Sequence, residues 1–203
     1  YRTCSSSDIV VNCAEYDISG IIMRDGKNNC CKKCEEGYDL TFHNYKTKCE
    51  AKTYKSTLYY NYAGSPNNNV YQIVSVKYNE YMPTITPPIR TDYKFLGFNF
   101  GSSCNSDWYY DENGNSLKNW DKVNDNALYA CWAKQVACPS GTYLPAKSEN
   151  CTPCKNGSYC VGGTFTYDPT KDQGISLCPS PYNKSEVGSD EEADCYLETV
   201  AGK

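Results

Sequence analysis

The residues best placed to do chemistry are Cys31, Cys34, His43 and Cys49, whose spacing Cys-x2-Cys-x8-His-x5-Cys supplies the ligand types of a Cys3His zinc knuckle. Zinc requires reduced thiolates, and Cys4, Cys13 and Cys30 in the same stretch would then need a separate explanation. The other Cys-x2-Cys pair, Cys151 and Cys154, lies more than a hundred residues downstream, far beyond the roughly 15 to 20 residue gap of a zinc ribbon. The sequence therefore favours disulfides over a metal, with His43 an exposed loop residue. Asp111-x-Asn113-x-Asn115 begins like a calcium loop, but Ser116 stands where the sixth-position glycine belongs and Lys122 where the bidentate glutamate belongs. An Asn-Gly turn at Asn113-Gly114 is the better reading. One histidine and no motif that pairs buried carboxylates leave no nucleophile-base or acid-base constellation to assemble. The sequence assigns no catalytic residue, no metal and no cofactor.

The cysteines have a different order. Fourteen occur in 203 residues, six before residue 50, two in the middle and six after residue 137, even in every block. Even counts are what a disulfide framework requires, and such frameworks persist in oxidising compartments, so the expected location is secreted or on a cell surface. They divide the chain into a disulfide-rich module at 1–52, a β domain at 53–136 and a second disulfide-rich module at 137–203. The flanks are small enough that a hydrophobic core alone is marginal and cross-links make up the deficit. The centre holds 11 of the 20 tyrosines and all three tryptophans, enough for a core of its own.

Charge excludes some partners. Residues 1–52 carry eight acids and eight bases, 53–136 seven of each, and 137–203 nine acids and five bases. No basic stripe is present to neutralise phosphates, so nucleic acid is not an expected partner. No run approaches the roughly 18 apolar residues of a membrane span. The start at Tyr1 and the ending Thr199-Val200-Ala201-Gly202-Lys203 read as the edges of a processed or cut segment.

Within the flanks one unit recurs: a cysteine, a turn former two or three residues on, then an aromatic. It appears as Cys34-Glu-Glu-Gly37-Tyr38, Cys138-Pro-Ser-Gly141-Thr-Tyr143, Cys154-Lys-Asn-Gly157-Ser-Tyr159 and Cys178-Pro-Ser-Pro181-Tyr182. A tight turn followed by a ring that covers the bridge explains it. The returning cysteines predict Cys34–Cys49 and Cys138–Cys151. Cys178–Cys195 follows the same logic but competes with an interlaced pairing through Cys154 and Cys160. Adjacent Cys30 and Cys31 should point to different partners. These blocks resemble the cysteine-rich repeats of TNF-receptor-like, ephrin-receptor-like and furin-like ectodomains, on the strength of Cys31-x2-Cys34-x2-Gly37-Tyr38 and Cys151-x2-Cys154-x2-Gly157-Ser-Tyr159.

The central residues read as strands at 56–62, 70–78, 93–100 and 127–132, with a hairpin turn at Ala63-Gly64-Ser65-Pro66-Asn67 and a second at 111–114. The connection 82–90 carries three prolines and cannot be a central strand. Tyr-Asn-Tyr-Ala-Gly64, Pro87-Pro88-Ile-Arg90-x2-Tyr93-x-Phe95-x-Gly97-Phe98 and Leu128-Tyr-Ala-x-Trp132 occur in the order found in the Listeria-Bacteroides (internalin B-type) repeat, which residues 55–135 resemble. Phe98 stands where that family usually has tryptophan. The resemblance implies a small β-grasp domain of surface proteins, without catalytic activity. The expected fold is thus mainly β: a β-grasp-like centre between two small disulfide-rich modules.

Alternation along Leu128-Tyr-Ala-Cys-Trp132 turns Cys131 outward with Tyr129, where a bridge to Cys104 would pin a loop on the sheet. Partners in a flanking module or another chain remain the alternative. Asn150, Asn156 and Asn183 stand in Asn-x-Ser/Thr sequons and are candidate N-glycosylation sites. Tyr59-Tyr60 and Tyr109-Tyr110 are candidate interface residues, because tyrosine supplies stiff amphipathic contact area. Together these features point to an extracellular structural or adhesive protein, a segment of a tandem surface array or a fibre subunit, that associates with itself or with other surface proteins. A receptor-like ectodomain binding a protein or glycan is the alternative.

Overall fold

The computed structural model describes residues 2–4, 10–17, 21–22, 30–43, 46–105 and 107–197, and of Arg2, Thr3, Ile21, Ile22, His43 and Lys46 the backbone alone. The chain is mainly β and cross-linked by seven disulfides. Its contacts divide it into two compact units, Tyr1–Pro88 with Leu96–Cys131 and Ile89–Phe95 with Trp132–Lys203.

In the first unit, the N-terminal stretch makes three two-stranded ladders from β1 (Arg2–Thr3), β2 (Cys13–Tyr16), β3 (Ile21–Ile22), β4 (Cys31–Cys34), β5 (Tyr38–His43) and β6 (Lys46–Ala51). β1 pairs with β3, β2 with β4 and β5 with β6, all antiparallel. Among the described side chains the buried cluster is mostly sulfur: Cys4, Cys30, Cys31, Cys34 and Cys49 with Val10, flanked by Cys13 and Tyr38, while Leu40 and Phe42 are exposed.

The principal sheet is built from β7 (Thr53–Tyr59), β8 (Val70–Lys77), β9 (Tyr93–Asn99), β10 (Trp108–Tyr110) and β11 (Asn126–Cys138), in the order β10-β9-β11-β7-β8; its residues belong to the first unit except for 93–95 of β9 and 132–138 of β11. β7 and β8 form an antiparallel hairpin, and β11 lies parallel to β7 with Leu128 opposite Leu58. Period-two alternation sorts the side chains: Ser56 and Leu58 on β7 and Val74 and Val76 on β8 are buried, while Ile73 is not. Leu58, Phe98, Tyr109, Tyr110, Trp120 and Leu128 are fully enclosed, each apolar side chain contributing on the order of 1.5–3 kcal/mol. The proline-rich connection after β8 forms no strand, making single bridges at Tyr78, Tyr81 and Arg90.

Gly97 is required where it stands: its φ is +131°, and a Cβ there would collide with the Tyr110 carbonyl oxygen on β10. The recurring Gly-Tyr unit is equally constrained at Gly37 (φ +88°), whose missing side chain leaves room for the Tyr78 ring. Tyr38 then meets Tyr78 edge-on at 5.4 Å, and Lys52 N–H donates to Gly37 O while Tyr78 N–H donates to Lys52 O, both at 2.9 Å. In this copy the aromatic covers both the sulfur cluster and the end of β8.

The second unit is short ladders: β12 (Thr142–Tyr143) with β13 (Thr152–Pro153), β14 (Ser158–Tyr159) with β16 (Ser176–Leu177), and β15 (Gly163–Thr166) against the C-terminal part of β11. Tyr143, the aromatic of the unit that starts at Cys138, packs with Cys154, Cys160 and Ile175, so it covers the neighbouring Cys154–Cys160 bridge. The Arg90 guanidinium lies 3.4 Å above the Tyr93 ring and 5.9 Å from that of Trp132.

Candidate functional site

Every described cysteine is bridged. Cys34 pairs with Cys49, Cys138 with Cys151, Cys178 with Cys195 and Cys104 with Cys131. The pairing left open at the C-terminal end is Cys154 with Cys160. Cys30 and Cys31 diverge, to Cys4 and Cys13 respectively, because successive strand residues face opposite ways. Cys131 is bridged to the loop residue Cys104, as expected, and is 1% exposed. In that loop Cys104 has φ +59°, and Asn61 Nδ2 ties the loop to β11 by donating to Ser102 O and Ala130 O at 2.9 and 3.0 Å.

Cys31, Cys34 and Cys49, three of the four residues of the knuckle pattern, do come together, with their sulfurs all within 4.8 Å of one another. They are bound in the Cys13–Cys31 and Cys34–Cys49 disulfides, which leave no thiolate for a metal. The His43 side chain lies outside the described residues.

The tyrosine candidates separate. Tyr59 stacks on Tyr129 at 5.5 Å, and Tyr60 meets Tyr62 and Tyr71 edge-on at 5.9 and 5.3 Å, all half-buried. Tyr109 and Tyr110 are both completely buried and offer no surface to a partner. Regular alternation would expose one of them; a register shift between Trp108 and Tyr110 turns both inward. Tyr110 O–H donates to Pro83 O at 2.9 Å, and Tyr109 O–H donates to Asp121.

Around Tyr109 is a charge cluster that no motif announced. Lys118 Nζ lies 2.6 Å from Asp107 and 3.0 Å from Asp121, and Lys122 Nζ 3.0 Å from Asp121 and 3.5 Å from Asp107. Lys118 also stands 4.3 Å above the Tyr109 ring. Burial, reinforced by the hydrogen bond to Asp121, raises the Tyr109 hydroxyl far above its ordinary range. Burial works against ionisation of Asp121, but bonds from Tyr109, Lys122 and Lys118 outweigh it and hold the carboxyl at about 2. Two acids and two bases neutralise one another, which anchors the β10 turn. The sequence signal was the spacing Lys118-x2-Asp121-Lys122, ordinary among exposed loops.

Asp111 accepts from the N–H groups of Asn113 and Asn115 at 2.9 and 2.8 Å, and Gly114 N–H donates to Asp111 O, so the carboxylate caps a turn. Asn150, Asn156 and Asn183 are all exposed. The hydroxyl-bearing residues of the last two sequons meet: Ser185 Oγ donates to Ser158 O at 2.6 Å, and both are buried.

Two surface features remain. The hairpin loop between β7 and β8 frames a shallow hollow of about 540 Å3 lined by Asn61, Tyr62, Ser65, Asn68 and Asn69. Asn67, Asn68 and Asn69 adopt φ of +51°, +52° and +71°, which asparagine tolerates better than other side chains. On the other edge of the hairpin, β8 ends the sheet: among the described residues no strand pairs with its outer side. Over eight residues it has no proline and one charge, Lys77, and Ile73 is 60% exposed.

No protein-family model matches the chain, and no curated protein matches it. No helix among the described residues is long and apolar enough to cross a membrane.

Proposed function

We propose that the chain is an extracellular, non-enzymatic structural or adhesive protein, a segment of a tandem surface array or a subunit of a fibre, that associates with copies of itself through the β8 edge. The observation that carries this reading is the edge itself. Long edge strands in soluble monomers are blunted by prolines, bulges or charges; β8 has a register irregularity at its start, where Val70 and Gln72 face Tyr59 and Leu58, and from Gln72 onward it carries no proline and no charge before Lys77 and displays Ile73. Seven disulfides support an oxidising location and mechanical and proteolytic resistance. The strand order, with the first and last strands of the principal sheet adjacent and parallel, supports the β-grasp resemblance. Electron microscopy of native material tests the reading: regular filaments or ordered arrays are expected, and uniformly monomeric particles at high concentration would overturn it.

The receptor-like reading draws on one observation, the amide-lined hollow beside Tyr62, whose chemistry suits a sugar or a peptide backbone. It predicts ligand capture by a monomer, which the same micrographs would register as the absence of assembly.

A further inference from the structure

Which main-chain groups of the β8 edge are open follows from two hydrogen bonds at the ends of its hairpin. Tyr78 N–H donates to Lys52 O at 2.9 Å, and Tyr60 N–H donates to Asn69 O at 2.8 Å. Bonded and unbonded pairs alternate along an antiparallel ladder, so Val76, Val74 and Gln72 turn their N–H and C=O groups toward Tyr54, Ser56 and Leu58. The extra β8 residue at the register shift between Leu58 and Tyr59 carries this phase on to the Tyr60–Asn69 bond. Ile73, Ser75 and Lys77 therefore point their main-chain groups away from β7. Among the described residues the one main-chain partner of these groups is Glu80, whose N–H donates to Lys77 O at 3.2 Å.

The same three residues carry the exposed side chains. Ile73 is 60% exposed, the Lys77 side chain 58%, and Ser75 between them is exposed too, while Val74 and Val76 are buried. The open stretch 73–77 thus has Ser75 at its middle, an apolar side chain at one end and a cation at the other. Reversed, it is complementary to itself. In an antiparallel pair with a second copy about a two-fold axis at Ser75, Ile73 faces the partner's Lys77 and serine faces serine. The Lys77 stem then lies along isoleucine while its ammonium stays in water. All three residues pair directly, each pair exchanging two bonds, whereas an axis on Val74 or Val76 lets only two of them do so. An axis on Ile73 draws in Tyr71, which lies in the register shift and stacks on Phe98 at 6.1 Å. An axis on Lys77 sets lysine against lysine and needs Tyr78 and Tyr81, already bridged to Trp120 and Asn119.

We infer, on the basis of the self-association through β8 proposed above, that two copies join these edges antiparallel about a two-fold axis at Ser75, and that the contact closes. An edge paired with its own copy is used up in the pair, so it makes a two-chain unit and nothing longer. A fibre or array is then built from such pairs through another surface.

The test uses the full oxidised chain in sedimentation velocity at concentrations up to about 1 mM, where weak contacts populate, with circular dichroism checking that each variant folds. The wild type should level off at two chains. Ile73→Glu sets a carboxylate against the partner's Lys77 twice in each pair, and Ile73→Lys sets an ammonium there. The glutamate variant should therefore dimerise at least about tenfold more tightly than the lysine variant. Ile73→Lys/Lys77→Glu should regain the association that Ile73→Lys loses. A wild type that associates while the glutamate and lysine variants are weakened equally would overturn the Ser75 register and leave edge pairing standing. Growth past two chains that Ile73→Lys reduces to monomer would overturn closure. A wild type that stays monomeric over the whole range would overturn self-association through β8 and the two-fold pair with it.

Discussion

Removing the Cys104–Cys131 bridge measures what cross-linking contributes in the part of the chain that also has an apolar core. The two cysteines are 27 residues apart, and in the chain-entropy model a loop of that length restrains the unfolded chain by about 3.5 kcal/mol. The variant Cys104→Ala/Cys131→Ala adds no buried hydroxyl at Cys131, which is 1% exposed, and the Asn61 amide still holds the loop through Ser102. The loss should therefore come mainly from the unfolded state. Urea titration followed by tryptophan fluorescence is a suitable assay, because Trp120 is fully buried. The expected result is a loss of about 3 kcal/mol, with a steeper dependence on denaturant, since an unrestrained unfolded chain exposes more surface. A loss below about 1 kcal/mol with an unchanged slope would refute the closure argument and mean that the Asn61 bonds and loop packing carry the load.

Three further outcomes follow from the geometry. Gly97→Ala should cost about 2 kcal/mol or more, because its Cβ meets the Tyr110 carbonyl, whereas Gly64→Ala, also at positive φ but in open space, should cost about 1 kcal/mol; equal losses in urea titration would remove the clash as the cause. Asp121, held at about 2 against an ordinary 3.8, contributes stability that is fully present above pH 3.8 and fades as pH falls through 2. Its carboxylate side is 48% exposed, so solvent screening limits the effect to under about 1 kcal/mol; Asp121→Asn should flatten the stability profile between pH 5 and 2, and parallel profiles would contradict the linkage.

How much could be read in the sequence depends on whether the determinant is local. The predicted hairpin, the proline-rich crossover and the bridges Cys34–Cys49 and Cys138–Cys151 rest on residues near one another in the chain, and the structure places them accordingly. Tyr109 and Tyr110 could not be placed, because a bulge adds a residue to one strand without a distinctive composition and so defeats the alternation rule. The Cys104–Cys131 bridge was legible because alternation along β11 gives the direction of Cys131. The proximity of Cys13 to Cys34 arises from the pairing of β2 with β4 across 20 residues, which linear ligand spacing does not encode. The charge cluster around Tyr109 likewise needs β10 and the 118–122 turn folded together before its residues become partners.

Sedimentation velocity of the oxidised chain over a wide concentration range, beside Ile73→Lys, tests self-association through β8 most directly. Lysine at the centre of the strand sets like charges opposite each other in an antiparallel pair of β8 edges, while Ile73 is 60% exposed and its replacement should leave the fold intact. The account predicts that the wild-type sedimentation coefficient rises with concentration and that Ile73→Lys holds it at the monomer value, with unchanged circular dichroism. A concentration-independent monomer for the wild type, or equal association by both proteins, would contradict it.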